Sequence, residues 1–330
     1  MLFDPLTIRY VELRNRVMMA PMSLRASDTS GRIGDAHLVH YGSRAVGGVG
    51  LVMFADNAVA PAGRQHSCGL GLYDDEQAQA LSRVAEFCHA QGAKVAVQLT
   101  HGGRKAYAEE GAPPVPVVGA TGKPFSPISH VPQALTDEQV KALVGDFVDA
   151  ALRARRAGVD MVEVHAAHGY LVHEFLSPLT NTRGGSYGGS LERRSQFLLE
   201  IVEAVRAECG PSMPLIVRLS VEDLAPNGWT LDDSVVLIKK LAEAGCDLIA
   251  TIAGGAVEGW SMFERPVDFL GLAGDVRART GVATIASGGI SDAAGATRAL
   301  AESQCDIVGI GRLLVQNPFW VASVRDAPKG

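Results

Sequence analysis

The five cysteines of this 330-residue chain, Cys68, Cys88, Cys209, Cys246 and Cys305, form no CxxC pair and lie far apart. Odd in number and widely spread, they argue against a disulfide framework and against a zinc site, so a reducing cytoplasm is the simplest expectation. Charge of one sign is not concentrated anywhere. The 30 lysines and arginines are dispersed and the net charge is -6, which leaves no basic stripe for nucleic acid and no polybasic patch for a membrane. No apolar run approaches the roughly 20 residues that a membrane helix needs. The start, Met-Leu-Phe-Asp-Pro-Leu-Thr, has no charged region followed by an apolar one, so a soluble, unexported protein is expected. Aromatic residues are scarce at 6%, whereas 47% of the chain is apolar and 37 residues are glycine. That balance disfavours disorder and suits an α/β protein with many tight strand-helix joints.

Short apolar runs alternate with longer helical segments eight times. The predicted strands are 16-22, 49-56, 94-100, 159-165, 214-220, 247-252, 283-287 and 305-310. They are apolar on both faces, as parallel strands covered by helices should be. Predicted helices occupy about 36-46, 75-91, 136-157, 191-208, 230-244, 266-280 and 291-302, with a short one from Pro318. Thr136 and Gln139 have the spacing of a capping box, Gly158 and Gly245 mark helix ends, and Ser291 is expected to open the seventh helix. The joints Ala-Gly-Val-Asp (157-160), Ala-Gly-Cys-Asp (244-247) and Thr-Gly-Val-Ala (280-283) read nearly alike. Eight such βα units close naturally into a single (β/α)8 TIM barrel over residues 1-330, with an open doubly wound sheet as the competing architecture. Two connections, about 102-135 and 171-190, are extended; both follow a strand's C-terminal end, where a βα barrel carries its chemistry. Asn181, Arg183, Ser186 and Tyr187 in the second are as readily packing residues as substrate contacts.

After the fourth strand comes Glu163-Val-His165-Ala-Ala-His168-Gly-Tyr170-Leu-Val-His173, an unusual density of proton-handling groups at a strand end. His165 and His168 together point to function, and His173 to a structural role. A metal at His165, His168 and Glu163 is the rival, but no HExxH pattern or Cys/His cluster completes a ligand set. The seventh and eighth strands end in Ala286-Ser287-Gly288-Gly289 and Gly309-Ile-Gly311-Arg312. Glycines there let backbone N-H groups approach a phosphate, and Arg312 would add a cationic contact. Gln98, Lys105 and Arg218 complete the polar mouth. Arg218 sits inside the apolar strand Leu215-Ile-Val-Arg218-Leu, where burying a guanidinium is costly without a partner, so it is expected to face a ligand.

Six segments carry a family resemblance across nearly the whole chain: Asn15-Arg-Val-Met-Met-Ala-Pro-Met22, Gln98-Leu-Thr-His-Gly-Gly-Arg-Lys105, His165 to Leu179, Tyr187-Gly-Gly-Ser190, Ala286-Ser-Gly-Gly289 and Gly309-Ile-Gly-Arg312. In them the sequence resembles the Old Yellow Enzyme family of FMN-dependent ene-reductases, in its short bacterial branch of quinone- and xenobiotic-reductase-like members. The resemblance implies FMN as cofactor and NAD(P)H as reductant, in a ping-pong reduction of the C=C bond of a small α,β-unsaturated carbonyl compound. It implies flavin contacts from Pro21, Met22, Ser23, Asp56, Gln98 and Arg218, and phosphate contacts from Ser287, Gly288, Gly289, Gly311 and Arg312. His165 and His168 would hold the substrate carbonyl oxygen, and Tyr170 would deliver a proton to Cα. Arg25 and Lys105 would line the substrate.

Besides Ile252, which replaces a polar family position at the sixth strand's end, three positions depart from the family pattern. Ser23 stands where the branch has a cysteine, Arg25 where it has an aromatic residue, and Asp56 where it has a small one. They point toward a polar or anionic substrate or toward dehydrogenation, unless Arg25 and Asp56 simply pair with each other. A non-catalytic barrel binding a phosphate ligand or a metal is the alternative of another class. The branch commonly extends a C-terminal arginine into a neighbouring subunit; no such tail follows Asn317-Pro-Phe-Trp320, so homo-oligomerisation is left open.

Overall fold

The structure, a computed structural model, describes residues 1–107, 116–261, 267–302 and 305–326. The expected long connection 102-135 and the expected helix 266-280 therefore lie partly outside the described residues. Eight strands, β1 (Val17–Met19), β2 (Leu51–Ala58), β3 (Lys94–Thr100), β4 (Met161–Ala166), β5 (Leu215–Ser220), β6 (Leu248–Ile252), β7 (Ala283–Ser287) and β8 (Ile307–Ile310), pair in parallel in that order. β8 returns to pair with β1, and β1 with β2, so the sheet closes. Each strand leads to a helix: α1 (Asp35–Val46), α2 (Asp75–Ala90), α3 (Asp137–Arg156), α4 (Leu191–Cys209), α5 (Leu231–Glu243), α6 (Phe269–Thr280), α7 (Ala293–Ala301) and α8 (Trp320–Arg325). The open doubly wound alternative is excluded by this closure, because an open sheet has two unpaired edges.

Local signals in the chain set these boundaries. Thr136 and Gln139 form the expected capping box, with Gln139 N-H on Thr136 Oγ1 and Thr136 N-H on Gln139 Oε1. Thr230 and Asp233 do the same for α5. One boundary differs from expectation. The helix α7 is capped by Asp292, whose carboxylate accepts from Gly295 N-H, and not opened by Ser291. An ionised carboxylate is the stronger acceptor at a helix N-terminus.

Three aspartates just before strands, two of them (Asp160 and Asp247) in the Gly-x-Asp joints, serve the barrel directly. Asp160 accepts the backbone N-H of Val95, Asp247 that of Leu215, and Asp306 that of Thr284. Each thereby satisfies an amide at the start of the neighbouring strand. Each is also paired with a base: Asp160 with Lys94, Asp247 with Arg206 and Asp306 with Arg277.

Alternation along the strands builds the interior in layers. Met18, Leu51, Met53, Ala96, Met161, Ile216, Leu248, Ala250, Ile285 and Ile307 point inward and form one apolar cluster. Leu6, Ile8, Val11 and Leu13 reach it from an N-terminal hairpin that the sequence reading did not foresee, closing the barrel's lower end. The opposite parity, including Val52, Phe54, Val95, Val97, Val162 and Val217, packs against the helices. Two residues up from the inward apolar layer, the same parity delivers Gln98, Glu163 and Arg218, and then His165 and Ser220. A slip of one residue would drive these polar groups outward among the helices, so register and site are specified together.

Candidate active site

A cavity of about 110 Å³ opens at the C-terminal ends of the strands, lined by Pro21, Ser23, Ala55, Asp56, Gln65, Gln98, His165, His168, Tyr170 and Arg218. Eight of the residues expected at the site are thus brought to one place. Ser287, Gly288, Gly289, Gly311 and Arg312 lie apart, at the ends of β7 and β8.

The two histidines come from β4 and the turn after it. The backbone of His168 is in the left-handed region, at φ 60, which is unfavourable for a residue with a Cβ and persists only when its surroundings hold it. Ser220 Oγ accepts His168 N-H at 3.1 Å and itself donates to Gly254 O at 3.0 Å. On the other side, Lys105 Nζ donates to His168 O at 2.7 Å and to Gly255 O at 3.0 Å. Lys105, expected against the substrate, is thereby turned toward the backbone of the barrel rim, with Phe125 stacked on its ammonium at 3.9 Å.

Hydrogen-bond direction assigns the imidazole tautomers. Burial holds both histidines well below the ordinary pKa of 6.5, so both are neutral. Ala167 N-H donates to His165 Nδ1 at 3.2 Å, which puts the His165 proton on Nε2. His165 Nε2 lies 3.2 Å from His168 Nδ1, and only the former has a proton to give. The His168 proton then sits on Nε2, an atom that is buried and has no partner among the described residues. Tyr170 stands edge-on to both rings, with centroids 5.0 Å from His165 and 6.3 Å from His168. Burial raises its hydroxyl pKa, so it stays protonated and able to donate.

His173 is structural, as expected. It accepts Gly169 N-H at Nδ1 and pairs through Nε2 with the buried Asp223 at 2.9 Å. Asn181 and Arg183 likewise pack the loop: Asn181 Nδ2 donates to Phe175 O and Tyr187 O, and Arg183 pairs with Asp137.

Deeper in the barrel, Gln98 Nε2 donates to Glu163 Oε1 at 2.6 Å. Arg218 is 5% exposed, and its Nε and NH1 groups have no partner. Burial lowers the Arg218 pKa and raises that of Glu163, while the charge of each opposes the other's shift. Asp56 is also buried, with Oδ1 unpartnered and its pKa raised by burial against the opposing effect of a hydrogen bond from Ser23. Arg25, at φ 52, is exposed and forms no ion pair within 4.0 Å with Asp56 among the described residues, although its charge is felt there.

At the ends of β7 and β8, Ser287 Oγ is buried without a partner among the described residues, and a Cβ on Gly309 would collide with it. Gly288 has φ 112, and a Cβ there would strike the Phe269 ring at 2.6 Å. Met22 backs this region, its sulfur 3.3 Å from where a Gly311 Cβ would stand. Arg312 is exposed at the start of a short helix, Arg312–Gln316.

Two contributors, Ser220 and Gln65, escaped the sequence reading, and a third, Glu163, was weighed there only as a metal ligand. Glu163 and Ser220 share inward parity with His165 and Arg218, a signal that was available. Gln65 lies in the segment after β2, and the rule that such segments form a barrel's mouth would have found it.

A family model described as the NADH:flavin oxidoreductase / NADH oxidase family matches residues 1–328. Among solved structures, a 2-naphthoyl-CoA reductase in complex with 2-naphthoyl-CoA superimposes with a TM-score of 0.91 at 28% identity, over 98% of this chain and 52% of that one. The chain therefore spans about half the length of that reductase. Morphinone reductase matches with a TM-score of 0.85 at 29% identity, over 98% of this chain and 89% of that one; it has also been solved in complex with tetrahydroNAD. The old yellow enzyme from Trypanosoma cruzi, at 23% identity over 99% of this chain and 92% of that one, shares the fold with a TM-score of 0.85.

Proposed function

The chain belongs to the NADH:flavin oxidoreductase / NADH oxidase family, and on that premise we propose that it is an FMN-dependent enzyme that reduces the activated C=C bond of a small α,β-unsaturated carbonyl compound at the expense of NAD(P)H. One observation carries the reading: the neutral His168 imidazole has a single buried N-H without a partner among the described residues, in a cavity shared with Tyr170 and Arg218. A morphinone reductase solved with tetrahydroNAD supports nicotinamide as the reductant.

The residues present fit FMN. Arg218 has two buried nitrogens, Nε and Nη1, unpartnered among the described residues, that call for an acceptor-rich partner, and Gln98 lines the same cavity; together they would hold the flavin's pyrimidine edge. Ser287 Oγ, Gly288, Gly289, Gly311 and Arg312 would hold the phosphate, where an unpartnered hydroxyl meets backbone that a Cβ would obstruct. Pro21 and Met22 would border the ring. FMN supplies the hydride acceptor and donor that link nicotinamide to substrate.

The chain's own residues then do three things. His168 Nε2-H donates to the substrate carbonyl oxygen and stabilises the negative charge that develops there as the C=C bond accepts hydride. His165 fixes the tautomer that makes this donor available. Tyr170 gives its hydroxyl proton to Cα, completing the saturated product. Since both imidazoles are neutral, the oxygen is stabilised by hydrogen bonding and not by an imidazolium charge.

Anaerobic mixing tests the reading. NADH or NADPH should bleach the flavin absorbance, and cyclohexenone added afterwards should restore it. A protein isolated without flavin, or whose flavin neither nicotinamide reduces, would sink the proposal.

A further inference from the structure

The cavity brings together donors and acceptors. The donors are His168 Nε2-H and the Tyr170 hydroxyl. Ser23 after β1, Asp56 near the end of β2, and Gln65 in the segment that follows line the same cavity. Asp56 is 6% exposed and Gln65 8% exposed. Gln65 commits one of its two amide N-H groups to Thr100 Oγ1 at 3.1 Å, and its carbonyl oxygen remains an acceptor. Ser23 hydrogen-bonds the Asp56 carboxyl, while Asp56 Oδ1 has no partner. A buried acceptor left unpaired is destabilising, and such groups persist where a ligand supplies the missing donor.

We propose that Ser23, Asp56 and Gln65 form a subsite for a hydrogen-bond-donating substituent, an amino or hydroxyl group, carried by the same substrate whose carbonyl oxygen is held by His168. The inference rests on the reading above and adds the substrate class: conjugated carbonyl compounds bearing such a donor. A methyl group in place of the donor leaves Asp56 Oδ1 desolvated and unpaired, so the subsite discriminates between groups of nearly equal size. Arg25, exposed outside the cavity, does not form this wall.

Phenols test it, because a phenol oxygen bound at His168 perturbs the flavin spectrum. Holoenzyme is titrated with phenol and with the ortho, meta and para isomers of aminophenol and cresol, each followed by flavin absorbance. In the wild-type protein, at one ring position at least, aminophenol should bind about ten-fold or more tightly than the matched cresol. Asp56→Ala should bring that ratio close to one, and Asp56→Asn, which keeps an acceptor oxygen, should retain part of it. A wild-type preference below about three-fold at every position overturns the subsite while phenol binding leaves the oxyanion reading standing. A preference that survives Asp56→Ala also overturns it, as does a substitution that changes only the flavin's reduction potential, since Asp56 would then serve the cofactor. If not even phenol perturbs the flavin, the reading of His168 fails and the subsite falls with it.

Discussion

The ammonium of Lys105 donates to the carbonyl oxygen of His168 at 2.7 Å. Its second bond, to Gly255 O, ties the turn after β4 to the segment after β6. With Ser220 on the amide, His168 is gripped at both ends of a residue whose left-handed backbone would otherwise relax.

Lys105→Met should therefore loosen His168 without touching the flavin. Phenol binding is expected to weaken by about ten-fold, which is about 1.4 kcal/mol, while the flavin reduction potential stays at its wild-type value. Lys105→Arg, which keeps a cationic donor, should recover part of the affinity. An unchanged phenol titration in Lys105→Met would refute the positioning role.

His168→Ala removes the one imidazole N-H that lines the cavity without a partner among the described residues, and is expected to slow flavin reoxidation by enone by about 10²- to 10³-fold. Stopped-flow measurement of the two half-reactions checks this, since reduction by nicotinamide should be affected much less. His165→Ala should slow the same half-reaction by a smaller factor, because it frees the His168 tautomer without deleting the donor.

Tyr170→Phe separates proton delivery from oxyanion binding. Enone turnover should fall by about 10²-fold or more, with flavin reduction nearly intact and phenol still bound. Equal slowing of both half-reactions would contradict the assigned proton transfer.

Arg218→Met removes the buried guanidinium that would sit beside the reduced, anionic flavin. The flavin reduction potential should drop and FMN should be lost more readily on dilution, as read by recovery of free-flavin fluorescence. A potential equal to wild type would place Arg218 elsewhere in the mechanism.

Acid should destabilise the fold in part through His101, which is 1% exposed and whose pKa burial lowers to about 4. The folded pKa lies below the unfolded one near 6.5, so the unfolded chain binds the proton first. The contribution is fully present above about pH 6.5 and is lost as pH falls toward 4, up to on the order of 3 kcal/mol. Urea midpoints at pH 7 and pH 4.5 should differ less in His101→Gln than in the wild-type protein.

The eight strands, their order and the His-x-x-His-Gly-Tyr cluster were legible in the sequence because each depends on near neighbours: apolar alternation, a capping residue, a glycine at a helix end. The same is true of Arg218, whose place inside an apolar strand already called for a ligand. Less was visible where partners are distant. The N-terminal hairpin has strands of three residues each, too short to announce themselves, and it forms because Leu6, Ile8 and Val11 meet the lower barrel layer.

Lys105 shows the limit most clearly. As a loop lysine after a strand it is compatible with a solvated or a substrate-facing position, and its actual partners lie 63 and 150 residues further along the chain. Asp56 and Gln65 are of the same kind: residue type marked Asp56 as unusual, but only closure of the barrel brings both to the cavity that His168 lines. Sequence by itself determined the βα grammar and the inventory of donors, since those are properties of a residue and its few neighbours. Tertiary structure alone decided which donors face the cavity and which hold the backbone, because that choice is made by hydrogen bonds between strand ends that the chain brings together only on closing.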